Sequence, residues 1–138
     1  PYLTTRPSDT LLKRSLRRHR NVVESNLWRA TGRARQQIRP RPPGHPRFVY
    51  APHGAAMFFH RSYFEAGGDL EHFSFLFLEE LYVGETCERL DLEVLYEPAL
   101  RFAHGRHRSI GRVRNRAAVE LERAALQAAL KRRSTERQ

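Results

Sequence analysis

The chain has one cysteine, one methionine and one tryptophan in 138 residues. A lone Cys87 can form no internal disulfide and no cysteine-rich zinc module, and it suits a reducing compartment. Because the single methionine is Met57 and the chain opens at Pro1, we expect it to be a piece of something longer. No apolar run approaches the roughly 18 residues of a membrane span, and no apolar leader ends in a small-residue cleavage site. Asp-x-Asp occurs nowhere, nor does a glycine-rich phosphate loop, and no internal repeat is visible. With 40% apolar and 10% aromatic residues the chain can still build a packed core, which argues against wholesale disorder. Its length suits one domain rather than two.

The formal net charge is +10, and its distribution matters more than its size. Residues 1–47 carry +10, residues 48–100 carry −8, and residues 101–138 carry +8. An acidic, aromatic-rich middle therefore lies between two basic arms, in which every cation except Lys13 and Lys131 is arginine. Such arms attract anionic partners of any kind: nucleic acid, lipid headgroups or phosphorylated substrates.

Leu12, Leu16, Val23 and Leu27 follow helical spacing with His19 on the same stripe, which predicts a basic amphipathic helix over 9–27, capped by Ser8 or Asp9. The proline-rich stretch Arg39–Pro46 reads as a linker. Phe48-Val49-Tyr50 and Ala55–Phe59 suit buried strands, with His60 continuing the second. Ser62–Ala66 fits a short helix closed by Gly67-Gly68. A helix is expected from Glu79-Glu80 to Leu90, strands over Glu93–Tyr96 and Leu100–His104, and a helix over Ile110–Arg133. That last helix would bury Val113, Ala117, Leu121, Ala125 and Ala128. The fold class is α/β, a short mixed sheet covered by the Glu80 helix and the C-terminal helix. The organisation is a basic arm and linker over 1–47, a central segment over 48–110 and a basic helix over 111–138.

Most informative is the order Gly54-Ala55-Ala56-Met57-Phe58-Phe59, Gly67-Gly68-Asp69, Phe75-Leu76-Phe77-Leu78-Glu79-Glu80, Tyr96-Glu97-Pro98, His104 and Ser109. Over residues 48–110 this resembles the C-terminal, acceptor-side half of the family 2 glycosyltransferases, and among them the bacterial polysaccharide and rhamnosyl-type enzymes. The resemblance implies a partial GT-A fold and transfer of a sugar from a nucleotide-diphosphate donor to a glycan or lipid-linked acceptor. Glu80 then matches the catalytic base and Glu79 its supporting partner. Inverting transfer needs a carboxylate to take the acceptor hydroxyl's proton, and adjacent helical carboxylates, about 100° apart, can divide that work. His53 and Gly54 would floor the acceptor site, with His107 and Ser109 near it. His104 would help hold a divalent cation, Mn or Mg, imidazole suiting the former better. Taken without the resemblance, Glu79-Glu80 is equally a pair of acids at a helix start, favoured by its dipole.

The chain also departs from that family. Leu81-Tyr82 stands where a polar residue usually follows the acid pair, and the nucleotide-binding half with its Asp-x-Asp motif does not occur in these residues. The chain would need that half in cis or from another chain to act. Its location would be cytoplasmic, peripheral at the inner face of the membrane if the arms meet an anionic lipid surface. The alternatives are a basic nucleic-acid-binding module, against which the acidic middle and the lack of any nucleic-acid motif count, and an inactive transferase remnant.

Overall fold

A computed structural model describes residues 3, 5–27, 44–52, 54, 56–72, 74, 76–102 and 116–136. They form a mixed α/β protein with two compact units. One comprises Pro1–Arg6, Pro42–His72 and Leu78–His104; the other comprises Pro7–Arg41, Phe73–Phe77 and Gly105–Gln138.

The first unit holds an antiparallel pair, β1 (Arg47–Val49) and β2 (Val94–Tyr96), in the register Arg47–Tyr96, Phe48–Leu95 and Val49–Val94. Both strands lie where sequence pattern puts them. Leu3 adds an antiparallel bridge to Ala51, its amide donating to the Ala51 carbonyl at 3.0 Å. A two-stranded ribbon is marginal in water and needs a third element to cover it. That element is α4 (Glu79–Arg89), in which every residue from Leu81 to Cys87 is buried. Gly84 is the point of closest approach. A Cβ added there would lie 2.8 Å from the Tyr50 carbonyl oxygen and 3.0 Å from the Ala51 Cβ. From the other side Arg6 reaches α4, 3.0 Å from Glu88 and 4.0 Å from the buried Glu85.

Two chain reversals frame α4. The short helix α3 (Arg61–Glu65) ends with the Gly67 amide donating to Phe64 and the Gly68 amide to Tyr63, with Gly67 at φ +90°. This is the Schellman pattern, which needs a left-handed residue. Gly68 is needed for space instead, since a Cβ would meet Tyr63 at 2.6 Å. The same pattern ends α4. Asp91 takes the left-handed position at φ 55°, Leu92 donates to Cys87, and the chain is turned into β2. Asp91-Leu92-Glu93 is thus a helix-to-strand turn.

In the second unit α1 (Asp9–Arg18) packs with α5 (Arg116–Thr135). Ser8 is the N-cap of α1, its hydroxyl accepting from the Leu11 amide at 3.2 Å. Two polar contacts join the helices. The Arg133 guanidinium, 2% exposed, donates to the Pro7 carbonyl at 2.7 Å and to Asp9 at 3.0 Å. His19, 1% exposed, donates from Nδ1 to the Ser15 carbonyl at 2.8 Å and sets Nε2 3.3 Å from Glu122.

Several sequence expectations need correction. The helix expected over 9–27 is broken at 19–21 and restarts as a short helical segment over 22–27 (α2). Asn21 causes the restart: its side chain accepts from the Glu24 amide at 2.8 Å and donates to the Glu24 carboxylate at 3.0 Å. Asn21 thus caps the first turn of α2, on which Val23 and Leu27 are exposed to solvent. Residues 56–60 are irregular rather than a strand, and Phe58 is exposed. Apolar composition makes a strand only where a partner supplies backbone hydrogen bonds, and none of the described ladders takes this segment in. His60 consequently sits outside any strand and caps α3, its Nδ1 accepting from the Ser62 amide at 3.2 Å. Leu100–Phe102 is likewise irregular and exposed; 103–104 lie outside the described residues. On α5 the buried face is Ala118, Val119, Ala125, Leu126, Ala129 and Arg133, rotated from the expected one, of which Ala125 alone is buried. Val113 lies outside the described residues. The unit that contains the sheet includes α4; α5 belongs to the other.

The Gly84 contact generates a stability prediction. Gly84→Ala should cost about 1–3 kcal/mol by overpacking against fixed backbone. Gly44→Ala, where nothing lies within 4 Å of the added atom, should leave the urea midpoint unchanged.

Candidate functional site

The acid pair Glu79-Glu80 opens α4. The residues before it, Phe77 and Leu78, both have positive φ, 72° and 66°, a region that costs non-glycine side chains about 1–3 kcal/mol each. Leu78 is the N-cap and offers no side-chain acceptor to the first-turn amides. The two carboxylates are therefore the local negative charge at the positive end of the helix dipole. Both side chains are half-buried.

Gly54 approaches the pair from a turn. A Cβ built there would lie 3.1 Å from one Glu80 carboxylate oxygen and 3.8 Å from one of Glu79. Gly54 is not among the glycines with positive φ, so close approach, rather than backbone conformation, is what favours glycine here. The Glu80 carboxyl titrates above the ordinary carboxylate range. Burial is the main cause and the neighbouring Glu79 charge adds to it, while its own backbone amide and His72 oppose the rise.

Behind the pair, two buried tyrosines hold the Gly68–Glu71 turn against the helices. Tyr63 donates its hydroxyl to the Asp69 carbonyl at 2.8 Å, and Tyr82 donates to the Asp69 carboxylate. The same carboxylate accepts from the Glu71 amide at 2.8 Å. His72 closes the group, its ring standing edge-on to Tyr82 with centroids 5.6 Å apart. Burial raises the Tyr63 hydroxyl above its usual value, reinforced by Cys87 and Asp69, so it remains a protonated donor at neutral pH. Cys87 is buried and its thiol is pushed up by that burial, which makes it inert.

Of the site residues expected from sequence, Glu79, Glu80 and Gly54 come together. His53, His104, His107 and Ser109 lie outside the described residues, as do Phe73 and Phe75. Among the described residues no group of three or more His, Cys, Asp or Glu side chains is placed to hold a metal ion. Asp69, His72 and Tyr82 join this group although the motif order gives them no site role. The available signal was Tyr82 itself, because a tyrosine buried in an apolar helix needs an acceptor for its hydroxyl. A shallow cavity of about 190 Å³ lies elsewhere, between the β1–β2 pair and α4, and is walled by Val49, Gly84, Cys87 and Val94 among others.

Comparison with family models, with curated proteins and with solved structures finds no match to this chain. No helix among the described residues is long and apolar enough to cross a membrane.

The raised Glu80 carboxyl has a stability consequence whose sign is fixed. An acid raised in the folded state stabilises the fold while protonated, and that contribution is lost as pH rises through its folded value. At neutral pH the ionised group is therefore a cost, and Glu80→Gln should stabilise the chain by up to about 1 kcal/mol. Near pH 4 the variant and the parent should melt together. Urea titrations at the two pH values measure it, and an equal gain at both would exclude ionisation as the cause.

Proposed function

We propose that this chain is the acceptor-side half of a family 2-like glycosyltransferase, with Glu80 as general base. The observation that carries the reading is the Glu80 carboxylate. It is half-buried, raised in basicity by burial and by Glu79, and approached to 3.1 Å by the Cβ position of a glycine. The order of motifs over 48–110 supports the same reading.

In this reading an acceptor hydroxyl donates its proton to Glu80 while its oxygen forms a bond to the donor sugar's anomeric carbon. The bond from that carbon to the nucleoside diphosphate breaks, and the diphosphate leaves with the electron pair. A base whose affinity for protons is raised toward neutrality is better matched to that transfer than an ordinary carboxylate. Glu79 keeps a second negative charge beside the base and so helps hold its basicity up. Asp69 and the two tyrosines fix the turn behind the pair and are positioning groups. The donor is bound by a nucleotide-binding half supplied in cis or by another chain. The divalent cation that the resemblance implies would be held by His104, which lies outside the described residues, and no step is routed through it.

The test uses the complete transferase, assayed against a panel of nucleotide sugars for release of nucleoside diphosphate. Glu80→Gln should lower turnover by about 10²–10⁴ with donor binding unchanged. Turnover equal to that of the parent would remove Glu80 from the mechanism.

Gly54→Ala gives a second check. The added methyl meets only the flexible carboxylate ends of Glu80 and Glu79, so thermal stability should stay within about 0.5 kcal/mol of the parent while turnover falls. A variant as active as the parent would show that the approach of Gly54 to Glu80 has no role in transfer.

A further inference from the structure

On α1 the buried Leu12 and half-buried Leu16, with the buried His19 just beyond, lie on the side that packs inward. At about 100° per residue, Arg14 and Arg17 fall on the opposite arc and Lys13 at its edge. All three are exposed, and exposed Arg20 follows just past the helix end. Among the described residues none of these four cations has an ion-pair partner. The nearby acids are engaged elsewhere: Asp9 with Arg133, and Glu24 with Asn21.

Cations alone do not select a partner; the side chains beside them do. Leu11, 52% exposed, flanks Arg14 about 60° around the helix. Val23 and Leu27 on α2 are 76% and 66% exposed, one helical turn apart. Nucleic acid phosphates attract such cations too, but a duplex offers no apolar layer to the exposed leucine and valine side chains. Exposed aliphatic side chains next to unpaired arginines are the composition of a helix that lies in a headgroup layer.

We propose that the cationic outer face of α1 docks on an anionic lipid bilayer, with Lys13, Arg14, Arg17 and Arg20 meeting the phosphates and Leu11 entering the acyl boundary. This inference does not depend on the transferase reading, and no sugar nucleotide enters its test.

The experiment is flotation of the whole chain with vesicles, in which aggregated protein stays at the bottom of the gradient. The chain should float with phosphatidylcholine vesicles that contain phosphatidylglycerol, stay down with phosphatidylcholine alone, and be released by added NaCl. The combined variant Lys13→Gln, Arg14→Gln, Arg17→Gln should bind about a hundredfold more weakly, at roughly fivefold per cation. Should that variant lose helix signal by circular dichroism, Arg14→Gln alone carries the comparison at roughly fivefold. Leu11→Ala should weaken vesicle binding several-fold without changing retention on duplex DNA. Equal flotation with neutral vesicles, undiminished binding by the folded charge variants, or tighter binding to duplex DNA at the same salt would each overturn the proposal.

Discussion

The space that a side chain would need at Gly84 is already occupied by the backbone of Tyr50 and the methyl of Ala51. That single close approach brings α4 against Tyr50 and Ala51, the residues that follow β1. A ribbon of two three-residue strands has too little apolar surface of its own to persist in water. The unit is therefore organised around α4, which is buried over Leu81–Cys87 on all faces. Everything at the candidate site inherits its position from this helix. Glu79 and Glu80 are its first turn, Tyr82 pins Asp69 from its second, and Asp91 in the left-handed position delivers the chain to β2.

Each unit handles buried polarity differently. In the sheet-containing unit the tyrosine hydroxyls are neutral donors spent on one aspartate and its backbone, at modest desolvation cost. The helical pair instead buries a guanidinium and an imidazole, and each finds oxygen acceptors within hydrogen-bonding or ion-pairing distance. A buried ion pair contributes little net stability over apolar packing, but removing one partner leaves an uncompensated charge. These contacts join α1 and α5 at two points, Arg133 with Asp9 and Pro7, and His19 with Glu122.

How far the site was legible in sequence differs by residue. The acid pair could be seen because it ends an apolar run and starts a helical pattern, and glycine at position 54 because close backbone approach asks for it. The Asp69–Tyr82 contact could not, since its partners are 13 positions apart and belong to different segments. Short-range periodicity misled where polar residues carry the packing. The α5 face turned because Arg133 and Glu122 face α1, which a hydrophobicity pattern reads as solvent-facing. The long basic helix divided because Asn21 can cap a new helix more favourably than the stripe through Val23 and Leu27 can bury itself.

Sequence by itself determined what depends on a few neighbouring residues: the Gly67 turn, a cap at Ser8 or Asp9 and the span of α4. These are local choices of dihedral angle and hydrogen bond, settled within about five positions. Tertiary structure decided which apolar runs became strands, which face of α5 was buried and how basic Glu80 is. Each of those depends on a partner from a distant part of the chain. A strand exists only when another backbone completes its hydrogen bonds, and a carboxyl's basicity rises only when distant residues remove its water.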